Sequence, residues 1–153
     1  MILSWKTLVL VVILAGVVLM AYIRLAPSDP EDWHIALAHS DPVASGLCVD
    51  HIVIVPKGAR SACLLALTPS EVLDKLESIA LTSPRTQHLA GSPAEGRITW
   101  TSRSFLMGYP DYITAEVSQT PQGTRLDILS RQRFGEADLG VNAARLKDWL
   151  SQI

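Results

Sequence analysis

The stretch from Leu8 to Ile23, LVLVVILAGVVLMAYI, contains no charge and no strong helix breaker. A helix made from it is apolar all round and has no polar face to show water, which suits lipid rather than a domain surface. Spanning a bilayer core takes roughly 17 to 25 apolar residues at about 1.5 Å each, so the run is at the short end. Trp5 and Tyr22 are spaced to sit at the two interfaces, and Lys6 and Arg24 to snorkel, which extends the usable length. Residues 1–25 are therefore expected to form a membrane anchor.

A secretory signal needs small residues just before its cleavage point. Leu19-Met20-Ala21 lacks them, and Leu25-Ala26-Pro27 puts a proline where cleavage is poor. No cysteine lies near the end of the run to carry a lipid. The expectation is an uncleaved, single-pass helix. On one side stand the amino terminus and Lys6; on the other stands Arg24, followed by Asp29, Glu31 and Asp32. Counting basic residues puts the N-terminus in the cytoplasm and the remainder outside, which in a bacterium is the periplasm.

Beyond the anchor there is chain enough for one domain, and about 100 residues bury a working core without a metal or dense disulfides. The 153-residue chain carries 13 basic and 15 acidic residues, a formal charge of −2, which argues against a nucleic-acid partner. Ala26 to Asp32, APSDPED, reads as a polar, proline-punctuated linker. Trp33 to Pro42 shows little periodicity and is read as irregular, with Trp33 packing on the domain. Residues 26–46 thus form a linker and irregular segment, and 47–153 the domain.

Within the domain, Leu47 to Val55 is β-branched and reads as a strand ended by Pro56-Lys57-Gly58; Ala62 to Leu67 is a second short apolar run. Thr68-Pro69-Ser70-Glu71 is a capping box with proline at the first helical position, and Val72, Leu73, Leu76, Ile79 and Ala80 then recur at helical spacing. Thr86 to Ala90, Arg97 to Arg103, Tyr112 to Gln119 and Thr124 to Arg131 read as strands. Ile98 and Trp100, then Ile113, Ala115 and Val117, then Leu126 and Ile128 face inward, which predicts an antiparallel sheet with one covered face. From Asp138 to Ile153, Leu139, Ala143, Leu146, Leu150 and Ile153 make a final helical stripe. The order strand, helix, four strands, helix predicts an α+β fold: an antiparallel sheet with two helices on one face, in two layers.

The segment Ser130-Arg131-Gln132-Arg133-Phe134-Gly135-Glu136-Ala137-Asp138-Leu139-Gly140-Val141-Asn142-Ala143-Ala144-Arg145-Leu146 resembles the signature of the DUF1499 family, at Ser130, Arg133, Gly135, Asp138, Gly140, Asn142 and Arg145. Phe105 to Asp111 is similar to a second family stretch, an aromatic-proline-aspartate run before a strand, and Leu47-Cys48-Val49 is faintly similar to a third. The resemblance covers roughly Leu47 to the C-terminus. It implies a frequently membrane-anchored or exported protein, and it brings no reaction, cofactor or partner. Gln132 and Ala137 replace small hydroxyl residues common in the family, and Tyr112 replaces an acidic one, so a site built on those groups would bind differently here.

On a helix, Asp138, Asn142, Arg145 and Trp149 share one stripe. With Arg133 and Asp111 they suggest a ligand pocket in which arginine clamps a carboxylate or phosphate. The alternative is structural: Asp138 caps the helix, the arginines pair with Asp138 or Asp111, and Asn142 ties down the loop. His34, His39, His51 and His88 lack zinc-motif spacing, so no metal is expected, and no cofactor motif is present. Glu116 and Asp127 read as solvent-facing. Cys48 and Cys63 either close a loop of about 15 residues, as export permits, or are two small apolar residues in adjacent strands.

Three functions follow. The first is a non-enzymatic binding or accessory module of the envelope, whose Phe105-Leu106-Met107-Tyr109 loop touches lipid or an envelope protein. The second is an enzyme acting on a small anionic substrate through Asp111, Asp138 and Arg145. The third, a structural subunit of a membrane complex, has no positive signal.

Overall fold

The computed structural model describes residues 4–39, 43, 46–136 and 138–153. Residues 40–42 and 44–45 of the expected linker, and Ala137, lie outside the described residues.

Helix α1, Trp5–Leu25, is 21 residues long and is capped by Ser4, whose side chain accepts from the Thr7 amide. At about 1.5 Å per residue it reaches ~31 Å, close to the ~30 Å hydrocarbon thickness of a bilayer. It is exposed along nearly its whole length and is the one helix among the described residues long and apolar enough to cross a membrane. A short α2, Pro30–Trp33, follows, capped by Asp29.

The domain is a six-stranded antiparallel sheet in the order β1-β2-β6-β5-β4-β3, with β1 Val53–Val55, β2 Gly58–Leu65, β3 Thr86–Ser92, β4 Arg97–Arg103, β5 Pro110–Thr120 and β6 Gly123–Gln132. Helices α3, Pro69–Thr82, and α4, Val141–Leu150, lie on one face. The expected strand from Leu47 is only Val53–Val55, because Cys48–His51 forms a turn of 3₁₀ helix. That turn is held by the Ser61 hydroxyl, which donates to the Cys48 carbonyl at 2.7 Å, and by a disulfide from Cys48 to Cys63. The second apolar run begins earlier than expected, at Gly58, since Pro56-Lys57 is a hairpin turn pairing Val55 with Gly58.

The capping box is present in full: Thr68 accepts from the Glu71 amide while Glu71 accepts from the Thr68 amide. Val72, Leu73, Leu76 and Ala80 then pack on Ile98, Trp100, Ile113, Ala115, Leu126 and Ile128. Trp100 and Trp149 meet edge to face, 5.5 Å between centroids. The Trp100 indole donates to Glu77 and the Trp149 indole to Ser83 Oγ, so each buried N–H has a partner.

Two expectations fail at α4. Leu139, placed in the apolar stripe, is 94% exposed, because Gly140 is the N-cap and the helix begins only at Val141. Trp149, placed in the polar stripe, is buried in the core.

The other sheet face is not open either. Residues 26–39 cross it as a strap: Trp33 stacks on Tyr112 at 3.8 Å, His34 Nδ1 meets Thr99 Oγ1 at 2.9 Å, and the Leu37 amide donates to Glu116 at 2.8 Å. Glu116 and Asp127, cross-strand partners, are therefore not solvent-facing: His39 sits between them and Arg125 binds Asp127 through two nitrogens. Polar Thr and charged side chains on a β surface permit a solvated face, but this chain supplies its own cover.

Candidate functional site

Pairing fixes one end of the sheet. Gly58 faces Arg131, Thr86 faces Ser102, Arg103 faces Pro110 and Asp111 faces Gln132. Hence the Pro56-Lys57 turn, the Ser83–Arg85 connection, the loop 104–109 and the loop 133–140 all gather there, and α1 meets the domain at the same place. Arg24 donates to the Leu106 carbonyl at 2.9 Å, its side chain lies against Gly108, and Tyr22 approaches the Phe134 ring.

Four of the predicted site residues converge at this end. Arg145 donates through Nη2 to Asp111 at 2.9 Å, and through Nη1 to Asn142 Oδ1 at 2.6 Å and Ser130 Oγ at 3.0 Å. Ser130 in turn donates to Asn142 Oδ1 at 2.5 Å. A guanidinium can only donate, so the amide oxygen of Asn142 must be the atom that faces it. Asp138 accepts from the Gly140 and Asn142 amides and so caps α4. Ser130 lies within the signature but was not singled out; its place on the inward face of β6, opposite Ile113, brings it to α4.

Arg133 does not join them. It crosses to the strap side, where it donates to the Pro27 carbonyl at 2.6 Å and to the Tyr112 hydroxyl at 3.3 Å and lies over the rings of Trp33 and Phe134. The signature thus divides into a cluster locking α4 to the sheet and a clamp holding the strap.

Burial pushes the Asp111 carboxyl above its ordinary value, against the opposing pull of Arg145. Asp138 goes the other way: burial raises it, but hydrogen bonds from Gly140 and Asn142 outweigh that and leave it low. The side chains of Arg145 and Asp111 are only 15% and 14% exposed. Their charges satisfy each other, so neither presents a free acid, base or anion clamp. Of the three residues of the enzyme reading, Asp111 and Arg145 are thus engaged with each other and Asp138 with the backbone of α4.

Two concavities adjoin the fold. The larger, about 510 Å³, lies under the strap among Leu37, His51, Val53, Arg60 and Asp127, and it contains no signature residue. The smaller, about 390 Å³, opens beside the cluster between α3, the end of β4 and α4, and its wall includes Arg85, Arg103, Phe105 and Arg145. Arg85 and Arg103 carry no spacing pattern that marks them in the sequence. Only the folding of two loops onto one end brings them together.

Around this end the surface is apolar as well as basic. Phe105 is 76% exposed, Leu106 72%, and Leu25 and Val141 also face outward. Lys57, Arg85 and Leu139 are the non-glycine residues with left-handed backbone among those described, and all three lie here. Each costs backbone strain, which persists where the surroundings hold it and is concentrated at functional surfaces.

Among solved structures, the crystal structure of protein MLL2253 from Mesorhizobium loti is similar at 12% identity and a TM-score of 0.44, over 60% of this chain and 94% of that one. No curated protein matches the chain. The profile of proteins of unknown function DUF1499 matches residues 43–153, covering the sheet, both domain helices and the Asp111–Arg145 cluster. The chain belongs to the DUF1499 family.

Proposed function

We propose that this protein is a non-enzymatic binding module of the cell envelope, anchored by α1, with its domain on the periplasmic side and its loop end resting on the bilayer. The observation that carries this reading is the meeting of α1 with that end. The Arg24–Leu106 hydrogen bond ties the membrane exit to the loop bearing the exposed Phe105 and Leu106. An apolar patch flanked by Arg24 and Arg85, with Lys57 beside it 3.9 Å from Glu136, matches the interface of a membrane, where apolar side chains enter the headgroup layer and cations meet phosphates. The disulfide is in keeping with an oxidising compartment.

The test uses the full-length protein in lipid nanodiscs, with a spin label on a cysteine introduced at Leu139 or at Gln122. Gln122 lies in the hairpin turn between β5 and β6, at the opposite end of the sheet. The Leu139 label is expected to be shielded from a water-soluble nickel complex and open to oxygen, and the Gln122 label the reverse. Equal nickel access at both positions would mean that the domain stands clear of the bilayer, and the proposal would fail. In spheroplasts, a membrane-impermeant maleimide should label Gln122→Cys; labelling only after lysis would reverse the orientation.

Leu139 also predicts a trade between stability and docking. Its φ of 51° is easy for glycine and costly for leucine. Leu139→Gly is expected to raise stability by up to about 1 kcal/mol in thermal melting, while weakening attachment of the loop end to lipid. Lower stability would show that the exposed leucine has a structural role.

A further inference from the structure

From the arginine-lined cleft beside the Asp111–Arg145 cluster, we propose a site for the phosphodiester headgroup of an anionic phospholipid in the bilayer that holds α1. This rests on the reading that the loop end faces the membrane, and it names the ligand that end takes.

The cleft is built from three segments remote in sequence. The connection after α3 contributes Ser83 and Arg85, the end of β4 contributes Ser102 and Arg103, and α4 contributes Arg145 and Asp148. Among the described residues, Arg85 donates through Nε to the Arg103 carbonyl at 3.1 Å, and Arg103 through Nη1 to the Gly108 carbonyl at 3.1 Å. These bonds tether each guanidinium at one nitrogen and leave further N–H groups with no protein acceptor among the described residues. Planar donors tethered in this way suit phosphate oxygens, and they take a phosphate with less ordering cost than free side chains would.

Charge selects the kind of lipid. Arg145 is offset by Asp111, so Arg85 and Arg103 against Asp148 leave one net positive charge in the cleft. That complements the single negative charge of phosphatidylglycerol, whereas phosphatidylcholine offers the same phosphodiester beside a choline cation that the arginines repel. Position selects a lipid over a free anion. Phe105 forms part of the rim, and its ring lies 5.3 Å from the Arg85 guanidinium, so a bound phosphate is flanked by an apolar side chain suited to the start of an acyl chain.

The test is native mass spectrometry of the full-length protein in detergent, titrated with phosphatidylglycerol, phosphatidylcholine or inorganic phosphate. Phosphatidylglycerol is expected to bind at least about tenfold more tightly than phosphatidylcholine, because both present the phosphodiester and only phosphatidylcholine places a cation beside the arginines. Inorganic phosphate is expected to compete only weakly. Arg85→Gln with Arg103→Gln should abolish that preference, while Glu95→Gln, at the far end of the sheet, should leave it intact. Equal binding of the two lipids by the wild-type protein would overturn the proposal without any variant. So would preference retained in a double variant that melts normally, or phosphate competing as strongly as the lipid. If the Leu139 label enters the bilayer but no lipid preference appears, the headgroup site alone is wrong. A Leu139 label exposed to water would refute the membrane-facing reading itself.

Discussion

Replacing Arg145 with methionine is expected to lower the melting temperature of the domain by about 10 °C, from a loss of roughly 3 kcal/mol. Among the described residues, the guanidinium is the only donor to the Asp111 carboxylate and one of two to Asn142 Oδ1. Methionine fills much of the same volume but leaves a carboxylate that is largely buried and unpaired. Asp111→Asn alone should cost less, since a neutral amide keeps a hydrogen bond to Arg145. The double variant should lose less than the sum of the two, because the second change removes the charge the first one stranded. The pH dependence has a definite sign. Folding holds the Asp111 pKa above 3.8, so the folded protein binds that proton more tightly than the unfolded chain, and stability falls as pH rises through the interval. Without Arg145 the carboxyl rises further and the interval widens. The deficit of the methionine variant should therefore be smallest in acid, where Asp111 is protonated, and complete at neutral pH. A variant melting within about two degrees of wild type would mean that the cluster is loosely solvated and free to act as a ligand site.

Removing the disulfide is expected to have an effect of similar size. Cys48 and Cys63 are separated by 15 residues, and a closed loop of that length contributes about 3 kcal/mol through the unfolded chain. The loss should be local before it is global. The Cys48–His51 turn is tied to β2 by this bond and by the Ser61 hydroxyl, and the three-residue edge strand β1 follows directly. Replacing both cysteines with alanine should accelerate amide exchange at Val53 to Val55 well ahead of the central strands, with a lower melting temperature. Reductant should reproduce this in the wild type and do nothing further to the variant. Unchanged exchange at the edge would mean that the Ser61 hydrogen bond to the backbone at position 48 holds the turn without the disulfide.

The parts legible in the sequence were those governed by local chemistry. Solvent preference marks α1, where every face is apolar. The capping box marks the start of α3, because orphan amides need partners within three residues of the cap. Alternation marks β4 to β6, since successive side chains must point to opposite faces and the inward ones, from Ile98 to Ile128, are apolar. The same local rules erred where a distant contact or a single glycine cap outweighed propensity. The disulfide and Ser61 turn Cys48–His51 out of the strand its β-branched neighbours favour, and Gly140 delays α4 enough to leave Leu139 in solvent.

For the candidate site, the residue types were readable but their arrangement was not. The signature and the Phe105–Asp111 stretch offered Asp111, Arg133, Asp138, Asn142 and Arg145, yet nothing in their spacing says that Arg145 is spent on Asp111 or that Arg133 crosses to the strap. Those outcomes depend on strand register and on where a 14-residue strap lies. The strap's own cover of the Glu116–Asp127 face was equally hidden, because polar β surfaces look alike whether water or chain lies above them. By itself, then, the sequence determined the apolar N-terminal helix, the secondary elements with local signals and the family, because burial and backbone hydrogen bonding act over a few residues. Only the tertiary structure decided which charges neutralise each other and which are left facing out, because electrostatic pairing joins residues as far apart as Asp111 and Arg145.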